Sequence, residues 1–316
     1  MTHGNEKTAS GSVSKSFGFY PKRCDLQTPR FNLQTLPELD ELVAELQAYR
    51  EVDKDWIYSG NALARNFFTG EERTMPYGAR VFGLPKTHVL TLNGSASAED
   101  LDFVVWCLSF FTGMRLTATE AGYLDATPIK PGKLVDFVCR SSEAAAVELG
   151  LDYLQREHAN PRAPKLVAAV IHALFISQYP QSLPFERFQY LYMALDACYK
   201  LISAKEEKKP NTTHAGRIEW MCMRYGVPVP GWANNAASAS AVSLVRNDAF
   251  HEALFFDEPL GFAVHGPQTR ATNSDNLPLQ MQAVVCRLLV AILGKPDVGY
   301  VKTAVDTRQR YSLALE

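Results

Sequence analysis

Arg246, Asn247 and His251 stand close together on a segment whose apolar residues recur at helical spacing. Their types suit one chemistry, the cleavage of RNA through its own 2′-hydroxyl. That reaction needs a base for the hydroxyl proton, an acid for the leaving 5′-oxygen and a cation for the charge that builds on the phosphoryl oxygens. An imidazole titrates near neutrality and so moves protons at physiological pH. A guanidinium keeps its charge and forks onto phosphate oxygens. Asn247 can orient the imidazole or bind phosphate. The set requires no metal.

The helix that would carry these residues runs from Ser240 to Leu254. At ~100° per residue, Val242, Val245, Ala249 and Ala253 fall on one face, the core stripe. Ser240, Ser243, Asn247 and His251 fall on the opposite face, with Asn247 and His251 only ~40° apart. Arg246 lies ~140° from His251, so it does not stack on the imidazole. A long side chain wrapping round the helix, a local distortion, or a site completed by another subunit would each resolve that mismatch. Read on spacing alone, the same residues also make an ordinary solvated face. Asp248 and Glu252 would then form exposed ion pairs worth ~0–1 kcal/mol.

The elements needed to hold such a helix are visible around it. From about residue 142 helical patterns dominate, over 142–157, 164–177, 184–203, 213–225, 235–254 and 277–293. Turn-like connectors separate them, and the set suits an up-down bundle. The first half is mixed. Pro37 opens a helix with acids in its first turn. Short strand-like runs follow at 56–58, 66–68, 80–82 and 88–92, punctuated by Gly60, Gly70, Pro76, Gly83 and the pair Asn93-Gly94. Ser97 to Asp100 lead into an apolar helix over 101–111, 122–131 is loop or edge strand, and 133–140 is a strand. The expected fold class is α+β overall: a disordered or extended lead-in over 1–30, a mixed α+β domain over 31–141, an all-α bundle over 142–295, and a strand or tail over 296–316 that returns to the first domain.

The string Arg246-Asn247-x-x-x-His251 resembles the signature of HEPN domains, an Arg, a polar residue, then a His after a few positions. Its setting on a late helix, followed by a long polar connector and a closing apolar helix, is similar too. The likeness covers about 142–294. The front half, with the apolar stretch from Trp106 to Thr112, faintly resembles that of ApeA-type abortive-infection HEPN proteins. This resemblance implies a metal-independent endoribonuclease without cofactor, acting as a homodimer through the bundle. Arg246 would stabilise the phosphorane, His251 would handle the proton, and Asn247 would position one of them. It also implies a setting of phage defence or toxin–antitoxin control, with a regulatory partner or antitoxin. Glu252-Ala253-Leu254 departs from the pattern, since relatives often place Gly soon after the His, and an acid beside it repels phosphate. The alternative is a catalytically silent scaffold or a nucleotide- or RNA-binding module.

Bulk properties narrow the field. The net charge of -2 gives no general polycation, so RNA contact needs a local basic patch. Lys208, Lys209, His214 and Arg217 are the RNA-binding candidates, within a basic cluster that also holds Lys200, Lys205 and Arg224 and is interrupted by Glu206 and Glu207. Trp220 and Tyr225 beside them are core residues or base-stacking platforms. The six cysteines are scattered without CxxC spacing, which speaks against a zinc or redox motif. Cys107, Cys198 and Cys286 sit in apolar helical patterns as small hydrophobes. GxSxG, GxxxxGK and GxGxxG are absent, which disfavours serine hydrolases, nucleotide hydrolases and dinucleotide enzymes. The polar start lacks a signal-peptide core, and no apolar run is long enough to span a bilayer, so the expected location is the cytoplasm.

Overall fold

The computed structural model describes residues 11–94, 96–208, 210, 212–214, 216–234, 242, 246, 277–305 and 308–315. Contacts divide the chain into two units, 1–134 with 146–150, and 135–145 with 151–316. The architecture is mixed α+β. Sheets with helices make up the N-terminal unit, and helices dominate the C-terminal one.

In the first unit, β1 (Val13–Phe17), β2 (Leu26–Gln27), β3 (Phe31–Thr35) and β9 (His88–Leu92) form one antiparallel sheet in the order β1-β9-β3-β2. Alternation decides its buried face: Phe17, Phe31, Leu33, His88, Leu90 and Leu92 point inward. Helix α1 (Leu39–Gln47) buries Leu39 and Leu46. Helix α2 (Ala98–Thr112) contacts β1 and β9. It starts at a capping box, in which Ser97 accepts from the Asp100 N–H and the Asp100 carboxylate accepts from the Ser97 N–H, and it stops at Gly113 in the left-handed region. Lys15 ties β1 to α2 through Asp102 at 2.8 Å. Two smaller sheets join β11 (Ala126–Pro128), β5 (Trp56–Tyr58) and β4 (Val52–Asp53), and β10 (Tyr123–Leu124) with β8 (Val81–Phe82). A hairpin of β6 (Asn61–Arg65) and β7 (Glu72–Gly78) forms a two-stranded sheet of its own.

Several sequence expectations differ from this unit. Within the lead-in, residues 13–17 form β1, which pairs with β9. Residues 66–68 form a turn and not a strand, because the Asn66 side-chain oxygen accepts from the Phe68 N–H at 2.9 Å and Gly70 takes φ +74. The expected strand over 88–92 is present as β9, in which His88 is fully buried, with Nδ1 3.0 Å from the Thr87 hydroxyl and its ring stacked on Phe17.

The second unit takes in α3 (Glu143–Arg156, whose residues 146–150 group with the first unit), α4 (Arg162–Ile176), α5 (Pro184–Ser203), α6 (Arg217–Tyr225) and α7 (Leu277–Ile292). Helix α7 is apolar on every side, and so it is the buried axis, packed against α4, α5 and α6. Its one cation, Arg287, is 0% exposed. Arg287 donates to Asp136 at 2.8 Å and to carbonyls of Ala283, Thr303 and Ala304, while the Tyr300 hydroxyl also donates to Asp136. The expected strand over 133–140 is confined to β12 (Phe137–Cys139), which pairs in parallel with the late strand β13 (Tyr311–Leu313).

Candidate functional site

Helix α5 positions the first part of the site. Pro184 opens it, and the Glu186 carboxylate accepts the Leu183 N–H at 2.8 Å. Leu191, Leu195, Cys198 and Ile202 face the core. That orientation leaves Asp196 half-buried beside Tyr192 and Tyr199. Helix α6 supplies the second part. Ile218, Met221 and Cys222 pin it to the core, and Gly226 ends it in the left-handed region. Arg217, its first residue, therefore projects toward α5.

The two helices meet through polar contacts. Arg217 donates to Asp196 at 3.1 Å, and its guanidinium lies over the Tyr199 ring at 4.6 Å. The Thr212 hydroxyl donates to the Tyr199 hydroxyl at 3.3 Å, and Trp220 packs edge-on against the Tyr199 ring. Trp220 thus belongs to the packing that fixes Arg217.

Arg246 bears on the same surface through its charge. Val242 and Arg246 are both helical, Val242 buried and Arg246 half-buried. The Arg246 charge acts on both Tyr192 and His214. Burial raises the Tyr192 hydroxyl pKa, Asp196 raises it further, and Arg246 and Arg217 oppose the shift. His214 moves the other way. Loss of solvation and then the Arg217 charge lower its pKa, Arg246 lowers it further, and Asp196 opposes them. These influences disfavour the charged form of the ring.

Of the predicted residues, Arg217 pairs with Asp196, and the charges of Arg217 and Arg246 both act on His214. Asn247, His251 and Lys209 lie outside the described residues. Lys208 is exposed beyond the end of α5. The wider basic cluster is partly neutralised, with Lys205 on Glu157 at 2.6 Å and Arg224 on Glu206 at 2.7 Å. Asp196, Tyr192 and Tyr199 were not foreseen. Their signal is the Tyr192–Asp196–Tyr199 spacing, which puts three polar groups on neighbouring turns of one helix.

Among the described residues no cluster of His, Cys, Asp and Glu is placed to hold a metal ion, and no helix is long and apolar enough to cross a membrane. The six cysteines are free thiols. Burial pushes Cys222 up to about 12 and raises Cys107, Cys198 and Cys286 as well, so these thiols are poor nucleophiles. Comparison with models of known families, with curated proteins and with solved structures gave no match.

Proposed function

We propose that the chain is a metal-independent endoribonuclease of the HEPN kind, working in the cytoplasm as a homodimer joined through its helical unit. The supporting observation is the setting of Arg246. Its charge bears on both Tyr192 and His214, beside the Arg217–Asp196 pair, so a phosphodiester at this surface would meet guanidinium charge next to an imidazole.

In this reading the 2′-hydroxyl gives its proton to a base and its oxygen attacks phosphorus. The bond to the 5′-oxygen breaks, that oxygen takes up a proton, and a cyclic phosphate remains. His251 handles the protons, Arg246 holds the charged phosphorane, and Asn247 positions one of them. RNA degradation of this type would serve phage defence or a toxin-like role, restrained by a regulatory partner or antitoxin.

The test is cleavage of single-stranded and looped RNA by purified protein in EDTA. Arg246→Ala and His251→Ala should each lower the rate at least ~100-fold with the helical content unchanged, the scale of a lost proton-transfer or charge-stabilising group. Undiminished cutting by both variants would remove the assignment. RNA binding without cleavage by the wild type would favour the silent, nucleotide- or RNA-binding module that the acid at Glu252 suggests.

A further inference from the structure

The hairpin of β6 and β7 is open to solvent along nearly its whole length. Every residue of β6 except Ala62 and every residue of β7 except Met75 is exposed. At its tip Phe67 is 95% and Phe68 100% exposed, and Leu63 on β6 is 66% exposed. The turn that presents the two rings is well formed. Asn66 donates its N–H to the Glu71 carbonyl and accepts the Gly70 N–H, both at 2.8 Å. An isolated two-stranded hairpin is marginal in water. This one also holds two aromatic rings and a leucine away from any core.

The two edges of the hairpin differ. The β7 edge carries Glu72, Arg73 and Pro76, the devices that keep a strand from pairing further. The β6 edge reads Asn61-Ala62-Leu63-Ala64-Arg65, with one charge and no proline. The Asn66–Glu71 bond fixes the alternation of the ladder. Ala64 and Arg73 face each other as the next bonded pair, and the Leu63 and Arg65 N–H groups point to the outer edge.

We propose that the β6 edge pairs antiparallel with β6 of a second copy of this chain, giving a four-stranded sheet β7-β6-β6-β7 about a two-fold axis at Leu63. All of β6 overlaps in this register. Leu63 meets the partner's Leu63, Ala62 meets the partner's Ala64, and Arg65 faces the partner's Asn61, so no charge meets its own copy. Each Phe67–Phe68 tip then lies beyond the partner's Asn61, at the base of the opposite hairpin. Two phenylalanines bring ~300–500 Å² per copy. The strand edge supplies most of the remainder of the ~800 Å² per partner that a stable dimer takes. This interface is separate from the helical unit and does not depend on the nuclease reading.

Sedimentation equilibrium of the full chain tests it. The wild type should self-associate through the hairpin in addition to any contact of the helical unit, Phe67→Ser with Phe68→Ser should weaken the hairpin association step at least ~100-fold, and Leu63→Lys, which opposes two ammonium groups, at least ~10-fold. Under mild oxidation Leu63→Cys should form a covalent dimer, and Thr74→Cys on the neighbouring strand should not. A monomeric wild type, a dimer indifferent to both sets of surface changes, or a failure of Leu63→Cys to cross-link would each overturn the proposal.

Discussion

Removing the Asp136 carboxylate tests how the second unit is held together. Arg287 is wholly buried on the central helix, and Asp136 is its one carboxylate partner among the described contacts, at 2.8 Å with a side chain 16% exposed. Asp136→Ala leaves the guanidinium its carbonyl and hydroxyl partners and takes away its counter-charge. It also strips an acceptor from the buried Tyr300 hydroxyl. Breaking a buried pair from one side costs ~3–5 kcal/mol. Asp136 keeps some contact with water, so the lower end, ~3 kcal/mol, applies. For a urea m-value of ~2 kcal/mol/M the midpoint of this unit should fall by ~1.5 M. Asp136→Asn retains an acceptor without the charge, and its midpoint should lie between the two. Urea unfolding followed by tryptophan fluorescence reads both, with Trp220 and Trp232 reporting on the helical unit. A loss below ~1 kcal/mol for the alanine variant, or an asparagine variant less stable than the alanine one, would refute the argument that charge compensation dominates here.

Two more perturbations follow from local geometry. A methyl group on Gly18 would meet the Pro85 carbonyl, the Lys86 Cα at 2.9 Å and the Thr87 nitrogen at 3.1 Å, all backbone atoms with little room to move. Gly18→Ala should therefore cost ~1–3 kcal/mol and lower the melting temperature of the first unit by ~3–10 °C in calorimetry, and an unchanged melting temperature would contradict it. The His214 ring should titrate below the ordinary imidazole value in NMR, with Arg217→Gln moving it up and Asp196→Asn moving it down. Because the folded state holds that proton less tightly, this group costs no stability above the unfolded value near ~6.5. It destabilises progressively as pH falls through that value toward the lower folded one. A midpoint at or above the unfolded value would show that burial and the two arginines do not outweigh Asp196 at this ring.

The parts of the fold legible in the sequence were those whose pattern is local. The 56–58 and 88–92 strands and the 184–203 helix follow from alternation, from 3.6-residue periodicity and from Pro184 at a helix start. Residues 66–68 misled because two phenylalanines read as strand, whereas the Asn66 side chain closes a turn beneath them. Strand β1 escaped because its serines and lysine look like lead-in. Only pairing with β9 and the Lys15–Asp102 contact, 87 residues apart, reveals it. Helix α6 starts at Arg217, four residues later than the pattern suggested, since Thr212 is engaged with Tyr199 instead. At the candidate site, the residue types of Arg246, His214 and Arg217 were readable. The contact of Arg217 with Asp196 and Tyr199 was not, because it depends on how α6 docks on α5. Asp196 was invisible for the same reason, being a single acid on an amphipathic helix until Arg217 folds back onto it from 21 residues away.

The parallel pairing of β12 with β13 sets an order of events during synthesis. Phe137–Cys139 leave the ribosome long before Tyr311–Leu313, and Ser141 waits for the Leu315 amide 174 residues further on. At ~5–20 residues per second that interval is roughly 10–35 s. Throughout it the β12 edge lacks its native neighbour, and for most of it Asp136 lacks the guanidinium of Arg287, made 151 residues later. The nascent chain would present an open strand for that time, which makes this stretch a natural place for a chaperone to hold the growing polypeptide.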